Sequence, residues 1–253
     1  MNNRYIELDL LRTLAIIVMV IYHLCYDLQI FYGWNLGMFD HVAWMIAEKM
    51  TAGLFLLLVG CSFAISWNRH GKTFISGEHE LSADIRKYKK YLLRGLFVIG
   101  CGMLVTIATY LMDPVTYVRF GILHMIGVSI LLLPIFAYMK EWNALLGMII
   151  VGLGFGLGSG ITAQTSLLLP FGLVPPDFAT VDYFPLIPWF GVVLIGYSLG
   201  YTIYIRRKPP SFSIFNSQFS ILAWPGRNAL IIYLIHQPII LGILGLFRFV
   251  GIL

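Results

Sequence analysis

Charge is scarce in this sequence. Of its 253 residues, 11% are charged and 59% hydrophobic, and the mean hydropathy is +0.83. A water-soluble chain could not cover its surface with so little charge, which leaves the multi-span membrane class. Cysteine is scarce as well. Cys25, Cys61 and Cys101 are scattered through apolar runs, which excludes a disulfide framework and offers no metal-ligand spacing. No two histidines stand at the local spacing of a zinc site, so no metal is expected. Short alternating strands are missing, and the apolar runs are helix-length, so the expected class is an all-α membrane bundle rather than a barrel. Also missing are a signal-peptide cleavage pattern, a soluble domain, and an inverted repeat of the transporter kind.

What is present is one membrane domain over 1–253 with seven apolar spans at about 10–31, 43–67, 91–112, 120–139, 143–160, 184–205 and 228–249. All Lys and Arg except Lys49, Arg119 and Arg248 fall on one side of that arrangement. The positive-inside rule then puts the N-terminus in the cytoplasm and the C-terminus outside. These basic stretches orient the chain and meet anionic membrane lipid; nucleic acid is not an expected partner. Residues 78–90 read as a short charged helix, and 211–222 as an interfacial segment. The outer segment 161–183 lacks Lys and Arg and reads as a re-entrant piece or a lid. Gly152, Gly156 and Gly160, at i, i+4 and i+8, form a packing seam, within the bundle or in a homodimer.

The first span carries the strongest signal. Asp9, Arg12, Ile16, Met19, His23 and Asp27 follow at spacings of 3, 4, 3, 4 and 4. They share an arc of roughly 80° and run roughly 27 Å along the axis. Ionisable groups at membrane depth face a bundle interior or a watery cavity and mark function. His23 backed by Asp27 has the make-up of a general base; a packing histidine is the plain alternative. Arg12 lies at the cytoplasmic mouth, roughly 16 Å of helix from His23. It can meet phosphate there or simply clasp Asp9. A long carrier with phosphates at one end and a thioester at the other, such as coenzyme A, suits that span. Arg94, Arg227 and Asn228 lie at the same level. His236 shares the Asn228 face at i+8, just before Pro238, which frees the Leu234 carbonyl. At the outer level, His124 is a second imidazole for polarising a carbonyl, and Arg119, Asp182 and Tyr183 can greet an acceptor. His41 stands at the edge of span two.

The motifs Asp9-Leu-Leu-Arg12-Thr-Leu-Ala-Ile, Met19-Val-Ile-Tyr-His23, Phe120-Gly-Ile-Leu-His124, Asp182-Tyr-Phe-Pro-Leu-Ile-Pro-Trp-Phe-Gly and Gly226-Arg-Asn-Ala-Leu-Ile-Ile-Tyr-Leu-Ile-His236-Gln-Pro238 follow in that order. Together they resemble the heparan-alpha-glucosaminide N-acetyltransferase catalytic-domain family in its short bacterial form, over essentially the whole chain. More broadly, Arg12 and His23 resemble the first-span Arg and His of transmembrane acyltransferases that decorate bacterial glycans. The resemblance implies a multi-pass enzyme of the bacterial cytoplasmic membrane. It would move acetyl from cytoplasmic acetyl-CoA to an amino or hydroxyl group of an amino sugar or glycan on the far side. It also implies a catalytic histidine in the loop before span two, for which His41 is the nearest match. His23, Asp27, His124 and His41 are thus the catalytic set. Arg12, Arg94, Arg227, Asn228 and His236 would hold acetyl-CoA; Arg119, Asp182 and Tyr183 would hold the acceptor. The residues alone also admit a transporter for a small polar solute, with the stripe as its path.

Overall fold

The computed structural model describes residues 5–38, 40–70, 80–157, 165–207 and 221–251, which are helical with no strand among them. The helices are α1 (Ile6–Tyr32), α2 (Val42–His70), α3 (Glu80–Met112), α4 (Ile122–Phe136), α5 (Asn143–Leu157), α6 (Leu186–Gly200), α7 (Trp224–Arg227) and α8 (Ala229–Phe249). The charged stretch expected as a separate helix is the first part of α3, which runs unbroken through 33 residues into the apolar span. The backbone forms two compact units. One is Met1–Phe55 with Pro210–Leu253, the other Leu56–Pro209.

In the first unit, α1 packs on α7 and α8. Its burial is inverted relative to a soluble helix. Leu14, Ile17, Ile21 and Phe31 are about half exposed, while Asp9, Thr13 and Asp27 are buried with Ile16 and Met19. Apolar side chains outward and polar ones inward is the arrangement a lipid solvent selects. Gly33 ends α1 in the left-handed region (φ 69°), where its N–H reaches the Leu28 carbonyl, a conformation that suits glycine best.

The second unit is built on close backbone crossings. A methyl added at Gly60 would stand 1.9 Å from the Val193 carbonyl oxygen, and one at Gly147 2.5 Å from the Gly191 oxygen. Small residues at such crossings let helices gain dispersion contact that lipid cannot supply. The glycine seam foreseen in α5 is on the other face. Gly147 and Gly154 meet α6, whereas Gly152 and Gly156 meet nothing within 4 Å; Gly160 lies outside the described residues.

Side-chain contacts also give helix direction. Phe63 and Trp67 meet Tyr91, and Trp67 meets Tyr88, so α3 opposes α2. Gly95 meets Gly127 and Gly102 meets His124, so α4 opposes α3. Leu57 meets Gly196 and Cys61 meets Gly200, so α6 runs with α2, and α5 opposes α6 through Gly147–Gly191 and Gly154–Pro188. Hence α4 and α5 run oppositely. The chain reverses at Lys140 (φ 50°), and the buried Asn143 amide fastens the turn to the Phe136 and Lys140 carbonyls at 2.9 and 3.0 Å. Six helical stretches among the described residues are long and apolar enough to cross a membrane, the fourth being Ile122–Gly156. That stretch contains two of the seven expected spans, divided by the Lys140 turn.

The segments leading into α4 and α6 are tied together. Phe120 and Tyr183 form a parallel bridge, the Phe184 N–H reaches the Phe120 carbonyl at 3.0 Å, and the Thr180 hydroxyl reaches the Tyr117 carbonyl at 2.9 Å. Part of the expected lid, Ser166–Phe171, is a 3-10 turn. Its Leu169 carbonyl receives the Tyr183 hydroxyl at 2.7 Å. Residues 161–164 lie outside the description, as do all of 211–222 except Ile221 and Leu222.

Candidate active site

The polar stripe of α1 meets α8 at its deep end. The His23 and His236 rings stand edge to face, 4.8 Å between centroids at 82°. Each imidazole is tied to its own helix. His23 Nδ1–H donates to the Met19 carbonyl at 2.9 Å, and His236 Nδ1–H to the Tyr233 carbonyl at 2.6 Å. With Nδ1 carrying the proton, Nε2 of each neutral ring is the acceptor. His236 is buried, and its Nε2 has no hydrogen-bond partner. The next residue, Gln237, donates from Nε2 to both Asp27 oxygens at 2.9 Å. Asp27 is only 1% exposed. One amide nitrogen set against two carboxylate oxygens suits an ionised acid. Thus α8 answers the two titratable groups of α1 with two consecutive side chains.

The other end of the stripe is a second knot. Asp9 bridges two guanidinium groups: Oδ1 to Arg12 Nη1 at 2.5 Å and Oδ2 to Arg227 Nε at 3.4 Å. Guanidinium groups are the forked donors that suit an oxyanion. The Thr13 hydroxyl joins the same knot, accepting the Gly226 N–H and donating to the Leu222 carbonyl, both at 2.9 Å. Gly226 is required there, because a Cβ would stand 1.9 Å from the Asp9 carbonyl oxygen. Asn228 sits at the break between α7 and α8 (φ −109°, ψ 24°) and donates to the Trp224 carbonyl at 2.9 Å. Asn228 is the N-cap of α8 and its carbonyl accepts the Ile232 N–H at 3.1 Å, so it stands at the head of the helix that carries His236. His236 belongs with His23, whereas Arg227 belongs with Arg12.

His41 is exposed and its ring lies over Gly37, which adopts φ 63°. In the same unit the Tyr22 hydroxyl donates to Glu48 at 3.4 Å.

The second unit holds the remaining predicted residues. Arg94 is exposed on α3. His124 is 6% exposed, stacks on Phe120 with 5.8 Å between centroids, and fills the notch left by Gly102. Asp182 accepts the Ile122 N–H at 3.1 Å and so caps α4 from a distant part of the chain, where the helix dipole favours a carboxylate. Burial pushes the Tyr183 phenol up to about 12, so it remains a donor to Leu169. The Arg119 guanidinium carbon lies 4.9 Å from the Tyr117 ring centre and 5.2 Å from that of Phe178.

Sequence reasoning passed over Gln237, Thr13 and Gly226. Gln237 sits inside a quoted motif, but an uncharged amide gives no alarm in a hydropathy profile.

The sequence profile described as heparan-alpha-glucosaminide N-acetyltransferase, catalytic, matches residues 4–238. The chain belongs to that family. Membership makes it a transferase of membrane acetyltransferase type, and its six long apolar helical stretches fit an integral multi-pass protein. No curated protein and no solved structure matches the chain. Among the described residues no three His, Cys, Asp or Glu side chains gather to hold a metal ion.

Proposed function

We propose that the protein transfers acetyl from cytoplasmic acetyl-CoA to an amine or hydroxyl of an amino sugar or glycan on the extracytoplasmic side of a bacterial cytoplasmic membrane. The observation that carries this reading is the imidazole pair of His23 and His236, each fixed through Nδ1 so that Nε2 is left as the base. His23 Nε2 takes the proton of the acceptor N–H or O–H as that atom attacks the thioester carbonyl. The C–S bond then breaks and the thiolate recovers the proton, giving acetylated acceptor and coenzyme A. The expected bond from Asp27 to His23 is replaced by one to Gln237, because His23 Nδ1 is taken by the Met19 carbonyl. Asp27 therefore serves as a negative charge one turn along the same helix rather than as a hydrogen-bond partner of the imidazole. His236 lies at the thioester end of the donor. Arg12 and Arg227, sharing Asp9, hold its phosphates with Asn228. Arg119, Asp182 and Tyr183, with His124, form the acceptor end of the second unit.

Free-thiol release from acetyl-CoA by the purified protein in detergent tests this, with and without glucosamine-type acceptors. Acceptor-stimulated release that disappears in folded His23→Ala and persists in His41→Ala supports the assignment. Loss in His41→Ala alone would move the chemistry to the loop before α2. No release and no acetyl-CoA binding by a folded sample would remove the transferase reading in favour of solute transport along the stripe, which tracer uptake into proteoliposomes would then measure.

A further inference from the structure

Two consecutive residues of α8 meet two residues of α1 that stand one turn apart. The His236 ring lies edge to face on that of His23, 4.8 Å between centroids. The Gln237 amide donates to both oxygens of Asp27 at 2.9 Å. The two contacts differ in kind. The imidazoles touch as rings, and each Nδ1–H is spent on a carbonyl of its own helix, Met19 or Tyr233. The amide–carboxylate contact is directional and charge-assisted, and its carboxylate is buried. Gln237 is therefore the member of the pair that bonds α8 to α1 at this depth.

Two features make the imidazole geometry depend on that bond. Pro238, the next residue, lies inside α8. It cannot donate to the Leu234 carbonyl, so the helix loses a bond at the turn that carries His236 and bends more readily there. The ties of Asp9 and Thr13 to Arg227, Gly226 and Leu222 secure the other end of the stripe. Thr13 is about 21 Å of helix from Asp27, too far to fix a ring beside it. A helix that slips by one residue moves about 1.5 Å and turns about 100°, which would carry His236 off His23. The equal approach of Gln237 Nε2 to both carboxylate oxygens holds rotation and depth together.

We infer that Gln237 is a positioning residue: clamped on Asp27, it keeps the His236 imidazole against that of His23 without touching a reacting atom. Its effect on catalysis rests on the transferase reading, whereas its effect on the ring pair does not. The test varies length at constant charge. Asp27→Glu and Gln237→Asn each miss the reach by one methylene, and together they restore it. One readout is the NMR cross-relaxation peak between the ring protons of His23 and His236, in histidine-labelled full-length protein in detergent. The other is acetyl transfer, read as kcat and as KM for acetyl-CoA, at a temperature where thermal melts show every variant folded. The cross peak is expected in wild type, absent in each single variant and present again in the double. In parallel kcat should fall about tenfold to a hundredfold in each single variant, by more than KM changes, and recover in the double. If Gln237→Asn does not fold, Gln237→Met, which keeps the length and loses both bonds, carries the same expectation. No cross peak in wild type, or one that survives in Gln237→Asn or Gln237→Met, would overturn the inference. So would a double variant no better than its worse parent, which would make the contact a general support of the fold. Cross peaks that follow the expected pattern without any acetyl transfer would remove the transferase reading and leave the clamp. Transfer at the wild-type kcat in every variant would keep that reading and overturn the inference.

Discussion

Replacing Gln237 by Leu removes both hydrogen bonds to Asp27, each 2.9 Å long, and leaves a carboxylate that is 1% exposed without those donors. Two magnitudes compete. A hydrogen bond between uncharged groups on membrane helices contributes about 0.6 kcal/mol, whereas one to a charged group contributes about 1.5–3 kcal/mol. The symmetric approach of the amide to both oxygens selects the charged case. Stranding a buried charge costs about 3–5 kcal/mol, so Gln237→Leu should lower unfolding free energy by that order. Asp27→Leu removes the charge itself, and the double variant should recover much of the single-variant loss. A double-mutant cycle on detergent-solubilised protein, read by denaturant titration, should give a coupling of about 1.5–3 kcal/mol. Effects that add within about 0.5 kcal/mol would show the two side chains to be independent and refute the ion–amide assignment.

Gly226→Ala should destabilise by about 1–3 kcal/mol or more, because the new methyl meets the backbone oxygen of Asp9 rather than a movable side chain; Gly242→Ala, which meets nothing within 4 Å, is the matched control and should be neutral or slightly stabilising in the same thermal melts. At the exposed turn after α3, the Thr116 hydroxyl and then the Val115 N–H hold the Asp113 carboxyl below its usual range. A lowered folded value means the turn's extra stability is complete above about pH 3.9, the ordinary unfolded value, and is lost as pH falls through the lower folded value. The Val115 amide shift should therefore titrate with a midpoint below about 3.9, and a midpoint at or above that value would contradict the turn.

The α1 stripe was legible because helical phase is local. Six positions on one arc are a property of the chain whatever packs against it, and Asp9, Ile16, Met19 and Asp27 are indeed buried. Spans four and five were legible because Lys140 and Asn143 mark a reversal that averaged hydropathy smooths over. The glycine face of α5 was misplaced because spacing alone is blind to direction: 152, 156 and 160 share a register, but so do 147 and 154, two turns apart, and only the neighbour decides which is used. Gln237 was beyond reach, since its role depends on Asp27, 210 residues away.

That separation also orders assembly in time. Asp27 awaits Gln237, Thr13 awaits Leu222 from 209 residues on, and Asp9 awaits Arg227 from 218 residues on. Ribosomes add about 5–20 residues per second, so after α1 emerges roughly 10–40 s pass before α7 and α8 exist to satisfy it. Throughout that interval a helix with two acids on its inward face must be sheltered at the insertion site or held at the headgroup level. Its release into lipid is coupled to a segment made some 210 residues later, and a nascent chain stalled before Gly226 leaves α1 unmatched and open to quality-control proteolysis.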